Sequence, residues 1–245
     1  PIRDREEGNF YRKGWLQVLQ SPATIVLIET WSEMHEGTDI CESVEYGRLY
    51  LDITREFTQL FKQGKTAADT ITLKHPRLIP RPAEKEQDGK NYSQAASLSI
   101  TFGSEGKSNG IFLVSGQSDG PFTPAKIQNE DAVQSPKMDR SYLYFKVADS
   151  FFFDQHQPIT ITYTYWDDGF ANHALEYDSH DEHATIDGAY KLTPVIECRQ
   201  TRRWVTQKVT IADARFVNRQ NGRADFRFNI AGGSLAVSRI VITKE

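Results

Sequence analysis

The chain has 245 residues, of which 38% are hydrophobic and 25% are charged, a length sufficient for one large domain or two ordinary ones. Lys and Arg number 29 against 33 Asp and Glu, and this net charge of −4 provides no positive field for nucleic acid or for an anionic membrane surface. No apolar run reaches the roughly 18 residues that span a bilayer.

Residues 1–66 have the pattern of a helix, a strand and a second helix. Apolar side chains at Tyr11, Trp15 and Leu19 recur at helical spacing. Residues 24–28 (Thr-Ile-Val-Leu-Ile) form a continuous apolar run, which predicts a strand buried on both faces in a parallel sheet. A second amphipathic helix is predicted from Tyr46, Leu49, Tyr50, Ile53, Phe57, Leu60 and Phe61, and Gly64 would end it.

Residues 67–96 differ in character from the residues before them. They contain Pro76, Pro80 and Pro82 and a charged run at 84–88, a composition that favours neither helix nor strand. We interpret them as a linker or a long surface connection between two domains.

Residues 97–245 alternate between apolar and polar positions with the period of a β-strand. The alternation is clear at 98–102, 143–147 and 159–165, and it returns at 174–177, 204–211, 226–230 and 235–242. Clusters of Gly, Asn, Asp and Ser separate these stretches. The pattern predicts a mainly β fold, an antiparallel β-sandwich similar to a jelly roll.

Two carboxylates, Glu33 and Glu36, follow directly on the predicted strand, with Trp31 and His35 beside them. In α/β barrels the catalytic groups lie at this end of the strands. A carboxylate pair can divide the work of glycoside hydrolysis, Trp31 could stack on a sugar ring, and His35 could orient a carboxylate or a hydroxyl. The alternative is a helix N-terminus whose dipole favours two Glu residues.

Residues 30–38 (Thr-Trp-Ser-Glu-Met-His-Glu-Gly-Thr), with Ile40 and the Glu45-Tyr46-Gly47 that follows, resemble the last strand–helix unit of glycoside hydrolase family 99. The resemblance implies a (β/α)8 barrel that cleaves α-mannosidic or related linkages. It also implies that Glu36 is the general acid/base and that Glu33 is the base that engages the sugar 2-hydroxyl. Ser32 and Met34 replace an Asn and a Trp of the family's motif, so substrate contacts are expected to differ.

The resemblance implies that residues 1–66 are the last helix–strand–helix unit of a (β/α)8 barrel. Such a barrel takes about 250 residues. We therefore expect the remainder of the barrel upstream, and the chain to be the C-terminal part of a larger glycosidase.

Residues 97–245 resemble the β-sandwich that follows many bacterial polysaccharide-degrading enzymes and that is similar to carbohydrate-binding modules. The resemblance lies in 161–178, in Trp204 and in 213–227. Aromatic candidates for stacking on sugars are Trp166, Tyr177, Tyr190 and Trp204. Polar candidates for binding hydroxyl groups are Asn218, Gln220, Asn221, Asp225 and Arg227. The alternative is that these side chains only pack and that the sandwich braces the barrel.

No metal site is predicted, and residues 180–183 (His-Asp-Glu-His) are interpreted as a solvated loop. A structural Ca²⁺ is a possibility for Asp167, Asp168, Glu176, Asp178 and Asp213. Cys41 and Cys198 form either one disulfide or two free thiols. The expected function is glycosidic hydrolysis by a secreted or periplasmic enzyme whose partner is a polysaccharide or glycan. The alternative is a non-catalytic carbohydrate-binding or structural module.

Overall fold

The structure, a computed structural model, describes residues 5–64 and 80–245, without the side chains of Glu7 and His35. The chain forms two compact units, which we call the helical unit (within residues 3–77) and the β unit (within residues 78–245).

The helical unit contains the two predicted helices, α1 (Asn9–Gln20) and α2 (Leu49–Lys62), and the short 3-10 turns Glu6–Gly8 and Met34–Glu36. Trp15 of α1 stacks on Phe57 of α2, with ring centroids 6.0 Å apart. Beyond α2, Gly64 adopts a left-handed conformation, and its N–H donates to the carbonyl of Phe61, as expected for a glycine that ends a helix. Both helices bury the apolar face that their sequences predict.

The strand predicted at 24–28 is not formed in this structure, because in the described part of the chain this run pairs with no other strand. Ile25 and Leu27 are 78% and 86% exposed, whereas Val26 and Ile28 pack against the helical core. A strand forms only where a neighbouring strand pairs with its backbone, and both of its faces are buried only where other layers cover them. Without them the run buries only one face, so the structure shows two helices and not the helix–strand–helix end of a barrel.

The β unit contains twelve strands in its described residues, 80–245. They are β1 (Ser97–Thr101), β2 (Ser108–Asn109), β3 (Ile111–Leu113), β4 (Thr123–Ile127), β5 (Glu130–Gln134), β6 (Met138–Val147), β7 (Ile159–Trp166), β8 (Asn172–Tyr177), β9 (Lys191–Leu192), β10 (Trp204–Ile211), β11 (Phe226–Gly233) and β12 (Ala236–Lys244). Sheet A has the order β10-β7-β12-β1-β2, with β5 pairing with β12 and β4 with β5. Sheet B has the order β3-β6-β11-β8-β9.

The two sheets enclose one hydrophobic core, and all their named strand pairs are antiparallel. Tyr163 of sheet A meets Phe228 of sheet B edge to face, with ring centroids 4.9 Å apart. From β6 to β8, and again from β10 to β12, consecutive strands alternate between the sheets, so most neighbours within a sheet are distant in sequence. The predicted antiparallel β-sandwich is confirmed.

The described part of the predicted linker, 80–96, packs on the two sheets of the β unit. Tyr92 is buried in its core, and the ammonium group of Lys146 pairs with Glu84 at 2.8 Å. The backbone N–H and the hydroxyl of Ser150 both donate to Glu86. These contacts involve the proline-rich, charged residues themselves, which therefore form an ordered layer on the sandwich. Residues 67–79 lie outside the described residues.

Candidate functional site

Trp166 and Trp204 lie side by side on the outer surface of sheet A, and we call this pair the Trp ridge. They are direct partners in the register of β7 and β10. Their ring centroids are 5.5 Å apart and their planes are inclined by 63°. Because side chains alternate along a strand, Ile161, Tyr163 and Tyr165 of β7 point into the core, and Thr164 and Trp166 point outward. Both Trp side chains are half-buried.

Asp167 holds the loop that leads into Trp204. Its carboxylate accepts hydrogen bonds from the backbone N–H groups of Arg199 and Thr201, at 2.9 and 3.1 Å, and from the Thr201 hydroxyl at 2.7 Å. The Cys198 thiol donates to the same carboxylate at 3.1 Å. Burial acts to raise the pKa of Asp167, but the hydrogen bonds from Thr201, Cys198 and Arg199 outweigh it and lower that pKa below its usual range. A charged Asp167 therefore anchors the ridge.

On one side of the ridge, Trp204 lines a cleft of about 470 Å³, the Trp204 cleft. Its polar lining combines carboxylates, a guanidinium, an amide and hydroxyl groups. The lining residues are Thr101, Phe102, Asn129, Glu130, Asp131, Thr164, Trp204, Ser238 and Arg239. Trp204 is fixed at the rim because its indole N–H donates to the carbonyl of Ile127 at 3.3 Å.

On the other side, Trp166 lines a second cleft of about 380 Å³, the Trp166 cleft. Phe170, which is 76% exposed, adds a second aromatic ring to this cleft. Lys137 and Asp168 supply charges, and Gly232 and Gly233 bring backbone close to the opening. Each cleft thus offers an aromatic surface with hydrogen-bonding groups around it.

Most of the residues that surround the Trp ridge were not predicted from the sequence. Asn129 and Glu130 belong to the hairpin of β4 and β5, whose turn residues Gln128 and Asn129 have φ values of 47° and 66°. The polar residues at this turn were the available signal, since Asn tolerates a left-handed backbone in hairpin turns. Arg239 is the outward-facing residue of β12 beside Thr164.

The structure places Tyr177 and Asn221 away from the Trp ridge. Tyr177 is buried in sheet B, and its hydroxyl donates to Asp213 at 2.8 Å. Burial, followed by that hydrogen bond, raises the pKa of Tyr177. Asn221 is half-buried and donates to the Tyr144 hydroxyl, while its own carbonyl accepts from Tyr190. Neither side chain contributes to the clefts.

The remaining polar candidates are parts of the interior. Asn218, Gln220 and Asp225 are completely buried. Asp225 accepts hydrogen bonds from the backbone N–H groups of Val147 and Asn218. The guanidinium of Arg227 lies over the Tyr142 ring at 3.7 Å and pairs with Glu176 at 2.5 Å. These residues hold strands and loops together and line neither the Trp204 cleft nor the Trp166 cleft.

In the helical unit, the predicted catalytic residues lie on a loop at 31–37. Trp31 is 63% exposed, Glu36 is exposed, and Glu33 is half-buried at the start of the 3-10 turn. The N–H of Thr38 donates to the carbonyl of Glu33 at 3.3 Å, which closes the loop. The backbone of His35 lies in the turn, but its side chain lies outside the described part of the structure. The loop therefore displays Trp31 and Glu36 to solvent.

The candidate ligands for Ca²⁺ have other partners. Asp178 pairs with Arg219, Asp213 with Lys191, and Glu176 with Arg227. Within residues 5–64 and 80–245, no group of three or more His, Cys, Asp or Glu residues is placed to hold a metal ion. In the same ranges both cysteines are free, and no helix has the length and apolar character to cross a membrane.

No protein-family model matches the chain, and no curated protein matches it. Among solved structures, the chain is similar to the C-terminal family 6 carbohydrate-binding module of a marine laminarinase from Zobellia galactanivorans, with 12% identity, a TM-score of 0.32, and coverage of 55% of this chain and 99% of that one. It is similar to a xylan-binding domain from Paenibacillus barcinonensis, with 10% identity, a TM-score of 0.38, and coverage of 60% and 92%. It is also similar to a cleaved adhesin domain of Lys-gingipain from Porphyromonas gingivalis, with 11% identity, a TM-score of 0.38, and coverage of 61% and 98%.

Proposed function

We propose that the β unit binds carbohydrate at the Trp ridge. The observation that carries the proposal is that Trp166 and Trp204 are registered neighbours whose rings line two clefts rich in hydrogen-bonding groups. The faces of sugar rings present C–H groups that pack on aromatic side chains, and their hydroxyl groups both donate and accept hydrogen bonds. Carboxylates such as Glu130 accept such bonds, and Arg239 donates them. A polysaccharide ligand implies a secreted or periplasmic protein.

The test is a binding assay of the 245-residue chain against a panel of polysaccharides, by affinity electrophoresis and calorimetry. We expect retardation by at least one of mannan, xylan, glucan or an algal polysaccharide, and we expect Trp204→Ala to reduce the affinity at least about tenfold. Leu192→Ala is the matched control, since it removes an exposed apolar side chain from sheet B and leaves the ridge intact. Absence of binding across the whole panel would refute the proposal.

A second proposal concerns the helical unit, which we infer belongs to a family 99-like glycosidase. One support is the loop that presents Glu36 and Trp31 to solvent shortly after residues 24–28. The other is that the outward side chains of this run, Ile25 and Leu27, have no covering layer in the described structure. A barrel around this run would pair its backbone and cover these two side chains. In that setting Glu36 would protonate the leaving oxygen and Glu33 would act as the base.

The catalytic proposal is tested in a protein that carries this unit within a complete barrel. Glu36→Gln keeps the shape of the side chain and removes its ability to transfer a proton, so we expect hydrolysis of α-mannosidic substrates to fall by at least about a hundredfold. Glu42→Gln is the control, because Glu42 is an exposed carboxylate outside the 31–37 loop. Hydrolysis by the Glu36→Gln enzyme at the wild-type rate would overturn the assignment.

A further inference from the structure

The two clefts beside the Trp ridge are lined by the same three structural elements, and we call the two clefts together the track. On β7, Thr164 lines the Trp204 cleft, and Trp166, the next outward residue, lines the Trp166 cleft. On β12, Arg239 lines the first cleft and Ala236 lines the second. The β4–β5 hairpin is the third structural element that contributes residues to both clefts.

The hairpin places Asn129 in the Trp204 cleft and Ile127 in the Trp166 cleft. The Ile127 carbonyl also accepts the indole hydrogen bond of Trp204, so the hairpin and the ridge are joined. Two residues along a strand span roughly 7 Å. A ligand that reaches both clefts must therefore be longer than one sugar ring.

The charged side chains that line the track have no positive excess. The lining contains two cationic side chains, Lys137 and Arg239, and three carboxylates, which are Glu130, Asp131 and Asp168. A polysaccharide that carries uronate or sulfate groups would place negative charge beside these carboxylates, which is unfavourable. Hydroxyl groups of an uncharged sugar can hydrogen-bond to both kinds of side chain.

We propose that the ligand is a neutral linear polysaccharide, held at internal sugar residues across both clefts and not at a chain end. The proposal rests on carbohydrate binding at the Trp ridge and adds the class of ligand and the mode of its recognition. Each cleft has an exposed side chain in its lining, Glu130 in the Trp204 cleft and Phe170 in the Trp166 cleft, and a chain bound at internal sugars would contact both.

The experiment is calorimetric titration of the 245-residue chain with manno-, xylo- and cello-oligosaccharides of two to eight sugars. In the series that binds, we expect affinity to rise at least about tenfold from the disaccharide to the hexasaccharide and then to level off. Two variants of exposed residues probe one cleft each: Phe170→Ala for the Trp166 cleft and Arg239→Ala for the Trp204 cleft. Each should shorten the oligosaccharide at which affinity levels off, and Leu192→Ala should not.

A parallel titration compares neutral polysaccharides with alginate and polygalacturonate. Tighter binding of the acidic polymers, or an affinity that does not change from disaccharide to hexasaccharide, would overturn this proposal while leaving carbohydrate binding intact. Failure of every neutral and acidic glycan to bind would instead overturn the proposed function.

Discussion

Asp167 and Thr201 are joined by two hydrogen bonds, since one carboxylate oxygen of Asp167 accepts both the backbone N–H and the hydroxyl of Thr201, at 3.1 and 2.7 Å. Thr201 lies three residues before Trp204, and Asp167 directly follows Trp166. The pair therefore connects the ends of the two strands that carry the Trp ridge. The conformation of the ridge depends on this connection as well as on the strand register.

Replacement of Asp167 by Ala should disorder the loop before Trp204. The change removes the charged acceptor of the N–H groups of Arg199 and Thr201, and a hydrogen bond to a charged group contributes about 1.5–3 kcal/mol. We expect a loss of about 2–3 kcal/mol in the free energy of unfolding, together with weaker near-ultraviolet circular dichroism from the Trp pair. Thr201→Val, which replaces the hydroxyl with a methyl group and keeps the backbone N–H, should cost about 1 kcal/mol and keep that dichroism. Equal spectra for the Asp167→Ala and wild-type proteins would contradict the assigned role.

For the buried ion pair of Asp178 and Arg219, removal of one charge should destabilise the protein more than removal of both. Both side chains are almost completely buried, and the Arg219 guanidinium donates to the Asp178 carboxylate at 2.6 and 2.9 Å. Asp178→Ala leaves a buried, unpaired guanidinium, so we expect a loss of about 3–5 kcal/mol in the free energy of unfolding. The double variant Asp178→Ala/Arg219→Met removes both charges and should recover part of that loss. A urea-denaturation cycle measures the coupling, and strictly additive single effects would refute it.

His173 should make the β unit less stable in mild acid. Burial between Tyr163, Tyr165 and Phe228 lowers the pKa of His173 to about 4, from about 6.5 in an unfolded chain. Between these values the unfolded chain binds a proton that the folded protein does not bind. Stability should therefore fall as the pH drops from about 6.5 to about 4, by up to about 3 kcal/mol.

The measurement is urea denaturation at a series of pH values, compared with His173→Phe. That variant lacks the titrating group, so its stability should depend less on pH in this window even if its absolute stability is lower. A pH dependence identical to that of the wild-type protein would show that His173 does not contribute to it.

Residues 24–28 should respond to mutation as a segment with one buried face. Leu27 is 86% exposed, so Leu27→Ser should change the stability of the helical unit by less than about 0.5 kcal/mol. Ile53 is fully buried in α2, and Ile53→Ala should cost about 2–5 kcal/mol. Amide hydrogen exchange in α1 and α2 reports both effects. A loss of more than about 2 kcal/mol for Leu27→Ser would mean that Leu27 is buried, against the structure.

The strands that the sequence predicts correctly are those in which one face is core and the other is solvent. β7 is the clearest case, since Ile159, Ile161, Tyr163 and Tyr165 alternate with Thr residues and are all buried. β4 and β5 were not predicted, because residues 123–134 contain a Pro, several charges and little alternation. Both strands are short, and β4 lies outside the main path of sheet A. Pairing with β5 stabilises β4 as a strand, although its own sequence pattern does not predict one.

The candidate site was predictable only in part, for a related reason. Composition identifies Trp166 and Trp204 as candidates for stacking on sugars, but it identifies Tyr177 equally well. Trp166 and Tyr177 each occupy a strand position, and whether that position faces the core depends on which layer covers it. Arg239 and Glu130 lie 109 positions apart in sequence and meet in one cleft only because β5 and β7 both pair with β12.

The sequence by itself determined the helices of the first unit and the β character of the second, because periodic burial is a local property of a helix or a strand. It also determined that Trp166 and Trp204 stand next to turn-rich segments at strand ends. The tertiary structure alone decided that the run at 24–28 buries one face and not two, and that the two Trp residues form one ridge between two clefts. Both outcomes depend on which distant segment pairs with which, and backbone pairing between distant strands leaves no periodic signal in either strand.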